Sequence, residues 1–236
     1  MMNRWIMDKG RDKGKAPAKI ERAEAVLETE HGSPDRFFTI ARQAEVELKI
    51  ERSLFIGCAQ EVTTEEEARE FIALRQKVHR QATHNCFAYR LGVPPGEITY
   101  YSDAGEPTGT AGRPILGAIL SGGLTNVAVV VTRYFGGKKL GVRGLIEAYG
   151  QAARQALEKA GRKEKVLTRM VELVCSYPNL ERVLYHLNAS GGRLVTADYG
   201  PSEVCLRAEV PLSLHREFCG KVGGLAKIRE QRYDGR

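Results

Sequence analysis

The sequence predicts an α+β protein of two domains, and three observations carry that prediction. Helical and strand periodicities alternate along all 236 residues, with no internal repeat or low-complexity tract. The composition shifts at Gly161-Arg162-Lys163-Glu164-Lys165, which reads as a linker. Beyond it the elements follow in the order β, α, β, β, α, β. A chain of this length can bury two small cores, one on each side of the shift.

Residues 1–36 alternate charges around Gly10, Gly14 and Pro17 and read as a flexible extension, with room for one amphipathic helix from Pro17 to His31. Phe37 to Ile50 and Ser53 to Glu61 read as two strands around a turn at Glu51-Arg52. Thr64-Glu65-Glu66-Glu67 has the form of a capping box, and Ala68, Phe71, Ile72 and Val78 follow at helical spacing until about His79. Asn85 to Leu91 reads as a strand, Val93-Pro94-Pro95-Gly96 as a loop and Ile98 to Tyr101 as another strand. Pro114 to Leu120 is predicted helical, Asn126 to Thr132 a buried strand, and Leu145 to Ala160 a long helix. After the linker come a strand (Val166 to Cys175), a helix (Pro178 to Ala189) stopped by Gly191, and a hairpin of Leu194 to Tyr199 with Glu203 to Val210 around Gly200-Pro201. A helix from Ser213 to Val222 and a strand from Leu225 to Gln231 complete a ferredoxin-like order. The expected division is 1–36 extension, 37–161 first domain, 162–236 ferredoxin-like domain.

Apolar residues make up 42% and charged residues 28%, ordinary for a soluble globular protein. The longest purely apolar run, Val127 to Val131, is far too short for a bilayer crossing. The N-terminus mixes Lys9, Arg11, Lys13 and Lys15 with Asp8 and Asp12 and has no apolar core, so no secretory or transit signal is expected. A cytoplasmic location and no membrane partner follow as expectations. The five cysteines approach no closer than the 14 positions between Cys205 and Cys219, so reduced, mostly buried thiols are expected, and neither a metal nor a cofactor.

The net charge of +7 is unevenly placed: Arg133 to Arg169 holds ten bases and three acids, a local +7 that accounts for the whole. Such an excess suits an anionic partner, or else a solvated helix face with a basic linker.

Three stretches could carry chemistry. In the third along the chain, Thr132-Arg133-Tyr134-Phe135-Gly136-Gly137-Lys138-Lys139-Leu140-Gly141-Val142-Arg143-Gly144, a buried strand runs through a glycine loop into a helix. Glycines turn backbone N–H groups inward, the helix start adds positive potential, and Lys138, Lys139 and Arg143 add full charges. An anion site is the favoured reading; a tight strand-to-helix connection is the structural alternative. No Lys-Ser or Lys-Thr pair makes it a Walker loop. In the second, residues 102–114, Asp103 and Glu106 stand beside Thr108, Thr110 and Arg113. Two carboxylates near hydroxyls suit acid and base work or Mg²⁺, and equally suit helix capping and loop bracing, the favoured reading. In the first, Ala82 to Tyr89, His84 and Cys86 share one strand face and Asn85 the other. A hydrogen-bonded structural histidine is favoured over a Cys–His dyad.

These stretches, in this order and spacing, resemble the IMPACT/YigZ family. The runs Asp-Ala-Gly-Glu-Pro-Thr-Gly-Thr-Ala-Gly-Arg-Pro and Arg-Tyr-Phe-Gly-Gly-Lys-Lys-Leu-Gly carry the resemblance, which covers about residues 37–160. It implies a first domain similar to domain 2 of ribosomal protein S5 and a tail similar to a ferredoxin-like domain of elongation factor G. Eukaryotic members regulate translation through an eIF2α-kinase pathway and carry an RWD domain, which nothing here resembles. Two positions depart from the family pattern: Ala104 stands where a second acid is usual, and Val142-Arg143-Gly144 replaces a small residue and Gly-Gly.

The expected function is a nucleic-acid- or ribosome-binding protein in translation regulation, a non-catalytic role favoured over an enzymatic one. Arg133, Tyr134, Gly136, Gly137, Lys138, Lys139, Gly141 and Arg143 would meet phosphates, joined by Arg113, Thr108 and Thr110; Tyr134 and Phe135 would be stacking partners. The alternative is an enzyme on a phosphorylated small molecule, using the same loop with Asp103, Glu106 and His84. A third reading is a protein-interaction module docking a partner through the C-terminal domain. Both leading readings require the three stretches to converge in space.

Overall fold

The computed structural model describes residues 35–94 and 96–229. The helix expected from Pro17 to His31 and the end of the last expected strand lie outside the described residues. The architecture is mixed α and β, with three sheets and five α-helices among the described residues.

The largest sheet has five antiparallel strands in the order β2 (Ala44–Ile50), β3 (Ser53–Glu61), β6 (Val127–Tyr134), β4 (His84–Leu91), β5 (Ile98–Ser102). β2 and β3 meet at Glu51 and Arg52, both at positive φ, as a two-residue hairpin turn requires. Central β6, Val-Ala-Val-Val-Val-Thr-Arg-Tyr, is buried on both faces because helices cover both. Val127, Val129 and Val131 pack with Phe55, Cys86 and Ala88 against α2 (Gly112–Ser121) and α3 (Gly141–Ala160). Ala128 and Val130 pack on the opposite face with Ala68, Phe71 and Ile72 of α1 (Glu65–Val78). Thr64 caps α1 by accepting from Glu67 N–H at 3.2 Å, and the Glu67 carboxylate reaches back to accept from the N–H and hydroxyl of Thr63. Val78, expected on the apolar face, is exposed.

The stretch Phe37–Ile50 is two strands, not one. β1 (Arg36–Ile40) breaks away at Ala41-Arg42-Gln43 and pairs with β7 (Arg162–Val166), the segment expected as a linker. Arg36 and Glu164 form an ion pair across this ribbon, and the Arg162 guanidinium sits 3.4 Å from the Phe38 ring centroid. The ribbon leads straight into the third sheet: Leu167 N–H donates to Asp35 C=O, and the Asp35 carboxylate accepts from Ser213 N–H.

That sheet is antiparallel, ordered β11 (Ala226–Arg229), β8 (Thr168–Ser176), β10 (Glu203–Pro211), β9 (Arg193–Tyr199). α4 (Tyr177–Ala189) and α5 (His215–Val222) cover one face, burying Val183, Leu187, Phe218 and Val222 against Val171, Leu173, Val204 and Leu206. Gly191, at φ +63°, ends α4 as expected.

Candidate functional site

The three chemistry-bearing stretches converge at one end of the five-stranded sheet, around Glu106. Its side chain is 4% exposed, and Oε1 accepts from Arg133 Nη1 at 2.7 Å and from the Tyr149 hydroxyl at 2.8 Å. Arg133 is as deeply buried, at 6%, lying between the rings of Phe55 and Phe135 with its Cζ 5.5 and 5.3 Å from their centroids. An ion pair this dry depends on having both members. Burial holds the Tyr149 hydroxyl well above the ordinary tyrosine range, so it serves Glu106 as a proton-bearing donor.

Arg133 thus lies inside the protein and not among surface phosphate contacts, which corrects its expected place. Its register explains why: odd-numbered residues of β6 face α2 and α3, where Glu106 waits. Tyr149 was missed as a polar member of the site. The signal existed, since a tyrosine among Leu145, Ala152 and Ala156 on a buried helix face needs a partner for its hydroxyl.

His84 and Cys86 do share the α2/α3 face, while Asn85 turns to the other and accepts from the Thr132 hydroxyl at 2.7 Å. His84 Nδ1 donates to Ala104 C=O at 2.9 Å, and its Nε2 stands 3.9 Å from Glu106 Oε1, beyond hydrogen-bond reach. Cys86 makes no dyad with it. Its Sγ donates to Asp103 C=O, and burial pushes the thiol up to about 12, far from a thiolate at neutral pH.

Asp103 is a helix cap. Oδ1 accepts from the N–H groups of Ala111 and Gly112 at 2.9 and 2.8 Å, and Oδ2 from Gly109 N–H at 2.8 Å. This satisfies donors that no local side chain reaches, and α2 starts at Gly112, two residues before the expected Pro114. Ala104, where the family usually carries a second acid, lies at φ +44° with its carbonyl turned to His84. Thr110 is buried and donates to Pro107 C=O, while Thr108 and Arg113 are exposed. Among the described residues no cluster of His, Cys, Asp and Glu is placed to hold a metal ion.

The glycine loop ends earlier than expected: Gly141, Val142, Arg143 and Gly144 already form the first turn of α3. That turn has no side-chain cap and no acid. Lys138, Lys139 and Arg143 are exposed; Lys138 pairs with Glu51 and Arg143 with Glu147 at the surface, arrangements of little energetic weight. Tyr134 is half-buried, its hydroxyl 3.0 Å from His79 Nδ1. The basic run 133–169 does not make one surface. The axis of α3 carries Lys159 about 27 Å from the loop, where its Nζ reaches Glu45 C=O, and Arg162 to Lys165 belong to the β1–β7 ribbon.

Residues 51–157 match the family model described as the Impact N-terminal domain. The chain is 42% identical to the IMPACT family member YvyE of Bacillus subtilis (strain 168) over 65% of this chain and 70% of that one. It is 32% identical to the IMPACT family member YigZ of Escherichia coli (strain K12), over 76% and 88%. A crystal structure of a hypothetical protein matches 85% of this chain and 99% of its own at 30% identity, with a TM-score of 0.61. The matched span holds the Asp103 cap, the Glu106 hub and the glycine loop, and with the coverage of these relatives it places the chain in the IMPACT family.

Proposed function

We propose that this protein binds nucleic acid or the ribosome through the basic loop 136–143 and acts in translation regulation. The observation that carries the reading is the exposed set Lys138, Lys139 and Arg143 at the start of a helix of 20 residues whose first turn has no side-chain cap and no acid. Two finer fold readings belong to the same proposal. The sheet order β11-β8-β10-β9, with both helices on one face, supports a ferredoxin-like C-terminal domain. The helix-covered five-stranded sheet is read as similar to domain 2 of ribosomal protein S5, an analogy of fold that lends limited weight to RNA as the partner.

The alternative, an enzyme on a phosphorylated small molecule, needs Asp103 or Glu106 to meet a ligand. Asp103 accepts three backbone N–H groups, and Glu106 holds Arg133 and Tyr149. For a protein-docking module, the open face of the C-terminal sheet carries the charged group of Glu172 between Arg207 and Arg229. The test is binding of labelled total RNA and of ribosomes at two salt concentrations, with wild type beside Lys138→Ala/Lys139→Ala/Arg143→Ala. Binding that weakens with salt and is lost in the triple variant is expected. Absent or salt-insensitive binding sinks the proposal.

A further inference from the structure

Folding builds a basic surface that no single segment of the sequence contains. The β2–β3 turn, the α1–β4 loop and the glycine loop are knitted together. Glu51 pairs with Lys138, and Ser53 Oγ accepts from Gly136 N–H at 3.3 Å. A Cβ on Gly136 would fall 1.8 Å from Arg52 C=O, so the two backbones touch there. From the other side, Thr83 Oγ1 accepts from Phe135 N–H at 3.0 Å, and His79 meets the Tyr134 hydroxyl. The exposed cations Arg52 and Arg80, separated by 27 residues, therefore border the same loop as Lys138 and Lys139.

Phe135 stands among them with 45% of its surface open. Its position is not that of an incidental surface apolar residue. The backbone N–H is held by Thr83, and one side of the ring is backed by the buried Arg133 guanidinium at 5.3 Å, itself anchored on Glu106. A cation behind one face fixes the ring and draws electron density from the other, which favours stacking of an electron-rich base.

We propose that this surface takes single-stranded RNA, with a base stacked on the open face of Phe135 and neighbouring phosphates at Arg52, Arg80, Lys138 and Lys139. The inference rests on the nucleic-acid reading above and narrows it. A duplex keeps its bases stacked inside and offers an aromatic ring nothing to cover, whereas an unpaired strand offers both a base face and a flexible backbone. An acidic protein segment would use the cations and leave Phe135 idle.

The experiment is fluorescence anisotropy of the full chain with a labelled 12-nucleotide single-stranded RNA and with the same strand annealed to its complement. Polyglutamate serves as competitor. Wild type is compared with Phe135→Ala, Phe135→Trp, Arg52→Ala/Arg80→Ala and Lys138→Ala/Lys139→Ala, each first checked for an unchanged thermal midpoint. Tighter binding of the single strand is expected. Phe135→Ala should weaken that binding roughly tenfold and leave the duplex unaffected, and Phe135→Trp should restore it. Both double variants should weaken it and lower the salt slope. Equal affinity for single strand and duplex, or an inert Phe135→Ala, overturns the single-strand assignment and leaves the broader reading standing. Polyglutamate displacing the RNA from wild type and Phe135→Ala alike assigns the surface to an acidic protein instead. No binding of either RNA at low salt removes both readings together.

Discussion

Arg133 and Glu106, 27 positions apart in sequence, form an ion pair at 2.7 Å in which neither side chain is more than 6% exposed. The pair sits under Phe135 and beside Tyr149, so the loop that carries the exposed cations rests on it. Arg133→Met leaves the buried Glu106 without its cation and beside one neutral donor. The expected cost is about 3–5 kcal/mol of folding stability, read from urea unfolding at pH 7. Glu106→Gln keeps an acceptor for Tyr149 and should cost less. An unchanged midpoint in Arg133→Met would show that the pair contributes nothing.

Asp103 predicts a different balance. Asp103→Ala strips three backbone donors at the start of α2 and should destabilise by ~2 kcal/mol. Asp103→Asn retains one oxygen, enough for Ala111 and Gly112 but not for Gly109, and should fall between that variant and wild type. The same urea titration checks the order. Stability equal to wild type in Asp103→Ala would remove the capping role and return this carboxylate to the catalytic candidates.

His79 predicts a pH dependence. Burial holds its pKa below the ordinary 6.5, the neighbouring Arg75 guanidinium adds to this, and Glu45 and Glu47 oppose it. Arg75 donates to Nε2 at 2.8 Å, and the Tyr134 hydroxyl lies at Nδ1, so the neutral ring fits its partners. As pH falls through 6.5 the unfolded chain takes up this proton first, and stability should drop between pH 7 and pH 5. His79→Gln removes that proton uptake and should flatten the profile relative to wild type. A wild-type profile no steeper than that of the variant would contradict the assignment.

The two glycines of the loop should respond unequally. Gly136→Ala places a methyl group against Arg52 C=O and forces the β2–β3 turn away, at a cost of about 3 kcal/mol. Gly137 has open space but lies at φ +87°, so Gly137→Ala should cost about 1–2 kcal/mol from backbone strain alone. Thermal midpoints of the two variants test this, and equal losses would mean that the close approach to Arg52 is not rigid.

Local pattern made most elements legible. The fully apolar Val127 to Val131 had to be a strand buried on both faces, and the capping box, the Gly191 stop and the Gly200-Pro201 hairpin fall where their residue chemistry demands. β1 and β7 were not legible as a pair. Arg-Lys-Glu-Lys has poor strand propensity by itself, and it becomes a strand only because Arg36–Ile40, more than 120 residues away, supplies the backbone partners. At the site, residue types identified the three stretches, and strand alternation put His84 and Cys86 on one face. The roles of Asp103 and Arg133 were not readable, since a carboxylate or guanidinium looks the same in sequence whether it caps, pairs or meets a ligand.

The sequence by itself determined the family, through the long motif runs it shares with its relatives, and the order of most elements, through short-range periodicity and turn stereochemistry. Only the tertiary structure decided which charges are buried and which remain at the surface. Register turned Arg133 inward onto Glu106 and left Lys138 and Lys139 outside. The length of α3 carried half of the basic run away from the loop, and backbone contacts at Gly136 and Phe135 brought Arg52 and Arg80 to it. Charge is a property of composition, but an electrostatic surface is a property of distances, which a chain acquires only when it folds.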